Sequence, residues 1–559
     1  MQTWKHKERR GIKMNKLKLL SFSLFFVPFL VFAQNEDLGN LNKNIEVFKE
    51  DTIKPPAVIR NYEKITYDVP QGVVKPQQYD FDTIPVKVAK LEMKIKVRTL
   101  NPDALKKLYG NYVKLGFGNY TTPYAEGFFN SKRSDQYVYS LHLKHLSSSK
   151  GPVSYARTSE NIVGASGTYF LDNLAIDGNL NYLRNRYNYY GFNHEAISDV
   201  NEDSLKLVYN VFKAKIAFRN LNNADKLNYK IGIGYHTLKN KPLSENEVFI
   251  DYKASYWLNE NREASVSGGY AYSNRKDLSG NYGRSLFQIN PTYILKFDKY
   301  QIRAGLNIAY NTDTVYSKKF HLYPKIEADY YLIKDELAAF AGIGGEMQKN
   351  DLYAFAAQNP YLASTVSLVN TNNTFDFFAG IKGNTLERLN YKVKLGYKTY
   401  KDLPFFVNSF SDSSKFILVY DNGTSSIFNI LGTASYAFTE KFRAGIVANY
   451  YNYSLSTVEE AWNRPKVDLS ILSTYNLYKK IYFNLDIFYL SGLKGKNLES
   501  GALVKMDPVF DLNAKIEYQF SDAFGAFIQA NNLLGKKYQR YLYYPVKGIN
   551  IIAGLSYTF

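Results

Sequence analysis

Apolar and polar positions alternate along much of this chain of 559 residues. In the stretch DLNAKIEYQF, residues 511–520, Leu, Ala, Ile, Tyr and Phe occupy the even positions, and Asn, Lys, Glu and Gln lie between them. Successive side chains of a β-strand point to opposite faces, so such a segment predicts a strand with one apolar and one polar face. After residue 33, no apolar run approaches the roughly 20 residues that a membrane-spanning helix needs. The pattern predicts a protein built almost entirely of strands.

The connections between these strands are of two kinds that alternate along the chain. Short polar turns occur at 170–174, 258–263, 296–300, 333–337, 438–442, 477–481 and 520–524, and longer irregular loops at 189–204, 351–371, 403–423, 493–506 and 535–546. Short periplasmic turns and longer extracellular loops are typical of outer-membrane barrels, whose strands face lipid with apolar and the lumen with polar side chains. We therefore predict an all-β transmembrane antiparallel barrel over residues 110–559, with about 22 strands and 20 as the alternative count.

The end of the chain shows the same pattern. In GINIIAGLSYTF, residues 548–559, the odd positions from Ile549 to Phe559 are all apolar or aromatic, whereas the even positions are mostly small or polar. This predicts a final strand with a lipid-facing side that ends on an aromatic residue.

The N-terminal region differs in kind from the strands. Residues 1–33 have a basic head, an apolar stretch and a small-residue pattern before Gln34, which predicts a cleaved signal peptide. The basic residues before Met14 favour that methionine as the true start. Residues 34–109 are polar and rich in proline, and we interpret them as a periplasmic segment or a short plug.

Composition narrows the classes of function. The chain has 50 Tyr and 37 Phe, which favours strands, and no Cys, which excludes disulfides and thiol chemistry. The formal net charge is +19, and residues 1–33 contribute +6 of it through seven cations and one anion, leaving about +13 on the mature chain. This surplus favours an anionic solute or anionic lipid headgroups. No clustered basic run after residue 33 indicates nucleic acid binding.

The C-terminal residues resemble one family. The block Asn-Leu-Leu-Gly-Lys-Lys-Tyr at 532–538, the pair Tyr544-Pro545 and the final Leu-Ser-Tyr-Thr-Phe are similar to the last two strands of TonB-dependent outer-membrane receptors. The resemblance implies a 22-stranded barrel in the outer membrane of a Gram-negative bacterium, with outer-membrane lipid around it. It also implies that Tyr557 and Phe559 address the chain to the barrel-assembly machinery, although both are also suited to the interfacial aromatic girdle.

The sequence departs from that family before the barrel. The receptors carry a plug domain of well over a hundred residues, whereas residues 34–109 are too short for a full plug and show no energy-coupling box. A lumen of this size must be filled. Inward-folding loops, residues 34–109, or a partner such as a plug protein, a lipoprotein or an energy-coupling protein could fill it. The apolar loop stretches 355–364 and 403–410 either fold into the lumen or dock a partner. Simple packing of aromatic side chains at the rim is the alternative.

Two functions from different classes remain open. The first is transport of a solute across the outer membrane by a receptor-like barrel without a full plug. The second is a non-transporting barrel that anchors or assembles an outer-membrane or surface complex. For transport of an anion, the alternation places Lys144, Lys394 and Lys515 on the inward face, where they could contact the solute.

We expect no enzyme activity, cofactor or metal. No nucleophile elbow, zinc-protease motif or phosphate loop is present. His142 and His145 are three positions apart, so on a strand they point to opposite faces and cannot share one metal ion. Glu459 and Glu460 lie in a long loop and could bind a cation, although a solvated charge pair is the simpler interpretation.

Overall fold

The computed structural model describes residues 110–559, except residues 133, 196–199, 222–225, 314, 317, 386–387 and 498–500. The predicted signal peptide, the predicted start at Met14 and the segment 34–109 lie outside the described residues. Within the described part of the chain, the structure has 28 strands and one short helix, which we number in chain order.

Twenty-two of the strands form a closed antiparallel barrel, so the predicted fold class and the predicted count are confirmed. The barrel strands follow one another around the ring in chain order: β1 (Asn111–Gly118), β2 (Thr122–Asn130), β3 (Tyr137–Ser148), β4 (Thr158–Phe170), β5 (Leu174–Asn188), β6 (Lys206–Asn220), β7 (Leu227–Asn240), β8 (Leu243–Asn259), β9 (Arg262–Asp277), β10 (Gly280–Lys296), β11 (Tyr300–Asn311), β12 (Phe320–Ile333), β13 (Leu337–Gln348), β14 (Thr371–Thr385), β15 (Leu389–Lys401), β18 (Ser425–Ala437), β19 (Phe442–Ser454), β20 (Val467–Leu477), β21 (Ile481–Ser491), β24 (Val509–Gln519), β25 (Phe524–Asn531) and β28 (Asn550–Thr558).

The last strand closes the ring by pairing with the first. β1 and β28 are antiparallel neighbours, with Val113 opposite Tyr557. The backbone of Phe559 both donates to and accepts from the backbone of Asn111, at 3.0 and 3.1 Å. On β28, Leu555 and Tyr557 are exposed while Ser556 is buried, as the alternation of the C-terminal sequence predicts.

An apolar belt covers the outer face of the barrel. Its exposed side chains include Leu115, Phe117, Leu180, Ile216, Ile233, Ile250, Phe377, Leu395, Ile430, Ile516, Ile528 and Leu555. Polar and charged residues occupy the intervening inward positions, where Lys114 is buried and pairs with Glu517 at 2.9 Å. This apolar-out, polar-in arrangement is that of a transmembrane barrel.

Strand length varies around the ring. The strands β5 to β10 have 14 to 17 residues, whereas β1, β2, β25 and β28 have 8 or 9. At about 3.3 Å per residue, the longer strands extend some 20 Å farther than the shorter ones. The wall formed by β5 to β10 therefore projects beyond the part of the barrel formed by β1, β2, β25 and β28.

The two rims differ, as predicted, with short turns on one and long loops on the other. The predicted loops contain more local structure than their sequences indicate: a helix, α1 (Leu352–Gln358), and three hairpins, β16 (Leu403–Asn408) with β17 (Phe416–Asp421), β22 (Lys494–Lys496) with β23 (Leu503–Lys505), and β26 (Gln539–Tyr541) with β27 (Tyr544–Pro545). All of them lie on the long-loop rim. Among the described residues, no helix has the length and apolar character needed to cross a membrane.

Candidate functional site

Buried residues from several long loops pack into one cluster at the mouth of the barrel. This mouth cluster includes residues from the connections 149–157, 189–205, 349–370, 402–424 and 532–549, together with the adjoining ends of β6, β7 and β8. The connection 349–370, here called the central loop, contributes more buried side chains to the cluster than any other connection: Leu352, Phe355, Ala356, Tyr361, Leu362, Val366 and Leu368. Both apolar stretches predicted at 355–364 and 403–410 therefore fold into packed loops.

The central loop starts with a capped helix. The Asp351 carboxylate accepts a hydrogen bond from the backbone N–H of Ala354 at 2.7 Å, as an N-cap residue does. Leu352, Phe355 and Ala356 then follow at helical spacing and are all buried. The helix turns one apolar face toward the mouth cluster.

Tyrosine hydroxyls hold the central loop from several sides. Five of them donate to its backbone carbonyls: Tyr541 to Gln358, Tyr209 to Pro360, Tyr189 to Leu362, Tyr420 to Ser367 and Tyr316 to Asn370. Burial raises the pKa of the loop residues Tyr189 and Tyr316 above the usual value, so these hydroxyls remain donors. Buried carbonyls that would otherwise be unsatisfied are paired in this way.

Aromatic rings from separate parts of the long-loop rim pack together with Tyr361 of the central loop. Tyr361 stacks on Tyr544 with ring centroids 3.6 Å apart, and Tyr190 packs edge-on against Tyr544 at 4.8 Å. Phe416 contacts Tyr541 at 5.6 Å. Because Tyr190 follows β5 while Tyr544 precedes β28, these contacts join distant parts of the rim.

A buried arginine fixes the central loop to the wall. Arg284 of β10 donates to the carbonyl oxygens of Asn350 and Leu368, at 2.6 and 3.3 Å. Its guanidinium also lies 3.6 Å from the Glu245 carboxylate and 3.7 Å from that of Asp313. Arg284 thus touches both ends of the central loop and two buried carboxylates.

Other charged residues also join the central loop to the wall. Glu245 accepts the backbone N–H of Leu352 at 2.5 Å, and Lys349 pairs with Glu247 at 2.5 Å and with Asp351 at 3.3 Å. Burial alone would raise the pKa of Asp351, but Lys349 and the Ala354 N–H outweigh it and hold the pKa below its usual value. We call Glu245, Glu247, Arg284, Asp313, Lys349 and Asp351 the charged latch.

A second anchor ties two other loops together. Asp421, at the end of β17, is fully buried and accepts hydrogen bonds from the backbone N–H groups of Ser456, Thr457 and Val458 at 2.9, 2.6 and 3.2 Å. The hydroxyls of Ser425 and Thr457 donate to it at 2.6 and 2.5 Å. Burial raises the pKa of Asp421, but these donors dominate and lower it to about 2.

We expect acidification to loosen this anchor. A carboxylate whose pKa falls from 3.8 unfolded to about 2 folded contributes about 2 kcal/mol above pH 4, and this contribution is lost as the pH falls through about 2. The emission of Trp462, buried beside the same loops, should therefore shift to the red between pH 4 and pH 2. Asp421→Asn should show the shifted emission already at pH 7 and lack the acid transition. A pH response equal to that of the wild type would contradict this role.

The three predicted lumen lysines lie on inward-facing positions. Lys144 pairs with Glu160 at 2.7 Å, and Lys515 pairs with Glu517 at 3.2 Å. Lys394 lies 4.3 Å from the ring centroid of Phe378 and forms no ion pair with any described residue. The structure does not bring the three together, since they lie on β3, β15 and β24. Their role as anion contacts stays a prediction.

The predicted terminal signal lies on the outer face near the short-turn rim. Tyr557 and Phe559 are exposed and stack with centroids 5.2 Å apart, and Phe559 also packs edge-on against Phe129 at 6.4 Å. This position suits an interfacial aromatic girdle. Recognition by the barrel-assembly machinery stays a prediction.

The remaining predicted polar residues have local partners. His142 bonds to Glu126 and His145 to Asn161, so the two imidazoles do not meet. Glu460 pairs with Lys494 at 2.5 Å, which favours the simple ion-pair interpretation over a cation site. Within the described ranges, no group of three or more His, Asp or Glu side chains is arranged to hold a metal ion.

Sequence reasoning did not identify the charged latch or the tyrosine contacts. The helix has a local signal, because Asp351 precedes apolar residues at helical spacing. Arg284 and Glu245 have none, since each resembles any inward polar residue of a barrel strand.

The chain is similar to known proteins in structure but not in sequence. No protein-family model matches the sequence, and no curated protein is similar to it in sequence. Solved structures do match. The ferric-catecholate import receptor Fiu from E. coli K12 and the FrpB iron transporter from Neisseria meningitidis each give a TM-score of 0.62 at 11% identity, with 81% of this chain and 82% of theirs covered. The siderophore receptor PirA from Acinetobacter baumannii gives 0.60 at 13% identity, with 80% of each chain covered. The chain therefore has the fold of the receptor barrels of the outer membrane.

Proposed function

We propose that this chain is an outer-membrane transport barrel whose outer mouth is closed by its own loops and opens to admit a solute. The long-loop rim then faces the exterior and the short-turn rim faces the periplasm, as in barrels of this type. The central loop is the gate, and the charged latch holds it shut.

The charged latch is the observation that carries the proposal. A buried ion pair contributes little net stability, and apolar packing would seal a mouth at least as well. Buried charges suit a mouth that must open, because each charge is stable only with its partners. A change in those partners can therefore shift the equilibrium between the closed and the open mouth. Hydrogen bonds from tyrosine hydroxyls to the central loop are likewise reversible contacts.

The similar structures support the class of function. Two of them are an import receptor and an iron transporter, which favours solute transport for a chain of the same fold. Of the three predicted anion contacts, Lys394 is the best placed, because Lys144 and Lys515 already pair with carboxylates.

Partners follow from the same proposal. Residues 34–109, as a periplasmic segment or a short plug, would be the part available to an energy-coupling or plug protein. Tyr557 and Phe559 would be read by the barrel-assembly machinery during insertion.

A non-transporting scaffold is the second candidate, and the mouth cluster favours it. Leu352, Leu362 and Phe416 are completely buried, which is the packing expected of a permanent seal. In that case the long-loop rim would serve only to anchor or assemble other proteins.

Planar-bilayer conductance separates the two functions. We would compare the mature protein from Gln34 with a variant lacking residues 34–109, a variant with residues 352–369 replaced by a short Gly-Ser linker, and the combination of both. We expect no steady current from the mature protein or from the variant lacking residues 34–109, because the loops close the mouth. The variant with both changes should carry large steady currents, because a 22-stranded lumen is wide.

The other outcomes also decide between the candidates. Steady large currents from the intact protein would contradict a closed mouth. Silence of the combined variant, with a folded barrel shown by heat-modifiable migration on gels, would mean that the lumen is sealed elsewhere and would favour the scaffold.

A further inference from the structure

A row of cations crosses the outer wall of the barrel on its tallest side. On neighbouring strands, Asn210 lies between Arg184 and Lys239 in the register. Ser244 likewise lies between Lys239 and Lys276. The three cations therefore occupy alternate strands of one continuous cross-strand row. With neighbouring strands about 4.8 Å apart, their attachment points are spaced by about 10 Å. We call Arg184, Lys239 and Lys276 the basic row.

The basic row is exposed, and no carboxylate of a described residue pairs with it. All three side chains point outward, and none forms an ion pair with a described residue. The inward-facing charges at the same strand ends behave differently: Arg275 pairs with Asp277 at 3.3 Å, and Glu247 pairs with Lys349. These inward charges are paired, whereas the three outward cations are open to a ligand.

Tyrosines lie directly below the basic row, at the upper edge of the apolar belt. Tyr182 precedes Arg184 by two residues, Tyr235 precedes Lys239 by four, and Tyr272 precedes Lys276 by four, and all three are exposed. The Tyr182 hydroxyl donates to Asn210 at 3.0 Å, which directs its polar end toward the row. Such tyrosines mark the boundary between hydrocarbon and headgroups.

Aliphatic side chains of β5, β7 and the neighbouring β8 lie below the tyrosines. Leu180, Ile233 and Ile250 are exposed on the outer face. From the belt to the rim, the wall therefore presents aliphatic groups, then tyrosines, then cations. A lipid presents acyl chains, an interfacial region and a charged headgroup in the same order.

We propose that the basic row binds the phosphate groups of phosphorylated lipids in the outer leaflet. Lys and Arg make charge-assisted hydrogen bonds with phosphate oxygens. Lys206, exposed near the outer end of β6, adds a fourth cation farther from the belt. The inference rests on the proposed placement of the barrel in the outer membrane, but not on whether the barrel transports a solute.

Lipid retention tests the site. The mature protein in detergent would be titrated with lipid A, a glycolipid carrying two phosphates, and the bound molecules counted by native mass spectrometry. The variant Arg184→Gln/Lys239→Gln/Lys276→Gln should bind lipid A about 100-fold more weakly, because each cation near the surface contributes about fivefold. Lys239→Gln alone should weaken binding about fivefold, which keeps the test valid if the triple variant folds poorly.

A matched control has the same change of charge on the opposite rim. Lys441→Gln/Lys479→Gln/Lys480→Gln should retain lipid A as the wild type does, since these exposed lysines lie at the short turns. Equal retention by the basic-row variants and the wild type would overturn the proposal, as would equal binding of a phosphate-free analogue. Binding of inorganic phosphate as tight as that of lipid A would assign the site to a free anion. None of these binding measurements depends on conductance. Their results are therefore independent of the transport proposal.

Discussion

Arg284→Ala is expected to raise the ratio of open to closed mouths by about two to three orders of magnitude. The substitution leaves the buried Glu245 and Asp313 carboxylates without their cation and removes two hydrogen bonds to the central loop. Removing one partner of a buried ion pair costs about 3–5 kcal/mol, and each 1.4 kcal/mol corresponds to a factor of ten. The closed state bears this cost, because Arg284 contacts the central loop only when the loop is docked.

Single-channel recording in the variant lacking residues 34–109 would measure the effect, since the loops alone then close the barrel. Frequent openings are expected from Arg284→Ala and rare ones from the parent. Arg157→Ala is the control, because its pair with Glu202 is partly exposed on both sides, lies outside the central loop and contributes about 0–1 kcal/mol. A folded Arg284→Ala barrel that stays as silent as the parent would show that the charged latch does not hold the gate.

The barrel could be predicted from the sequence because its signal is local. Alternation with a period of two marks each strand, and the turns between strands fix the direction of the next one. Gly342 and Gly345 show the same locality within one strand, because a Cβ at these positions would lie 2.5 Å from Phe378 and 2.7 Å from Tyr323. Both contacts come from neighbouring strands in the ring.

The closure of the mouth could not be predicted because its contacts are long-range. Tyr541 and Gln358 are 183 residues apart, and Lys349 and Glu247 are 102 residues apart. The abundance of tyrosine indicates strands and an interfacial girdle, and nothing in the sequence distinguishes a tyrosine that faces lipid from one that holds a loop. Only the packing of the loops assigns those roles.

The predicted apolar loops were the part of the sequence that pointed toward the site. Their composition indicates burial but leaves the lumen, a partner protein and simple aromatic packing at the rim as alternatives. Phe355 and Phe405 are buried in two separate clusters, and the second is built around Trp462 of another loop. The choice between the alternatives depended on where the neighbouring loops lie.

The triple variant Tyr189→Phe/Tyr209→Phe/Tyr541→Phe is expected to destabilise the docked central loop by about 3 kcal/mol or more. Each substitution keeps the ring and its packing but removes the donor to a carbonyl of Leu362, Pro360 or Gln358. A buried acceptor left without its partner costs about 1–3 kcal/mol. Hydrogen exchange of peptides covering residues 352–368 reports the local opening of the loop, and its rate should rise about 100-fold or more.

Tyr353→Phe provides the matched control on the same loop. Its ring lies under Lys213, with the Nζ atom 3.3 Å from the centroid, and its hydroxyl makes no hydrogen bond with a described residue. Exchange in this variant should therefore equal that of the wild type. If the triple variant also exchanged like the wild type, the hydroxyl contacts would be incidental and apolar packing alone would hold the loop. If Tyr353→Phe accelerated exchange as strongly as the triple variant, the effect would come from a general loosening of the cluster. Acceleration confined to the triple variant would show that the tyrosine hydroxyls keep the mouth closed.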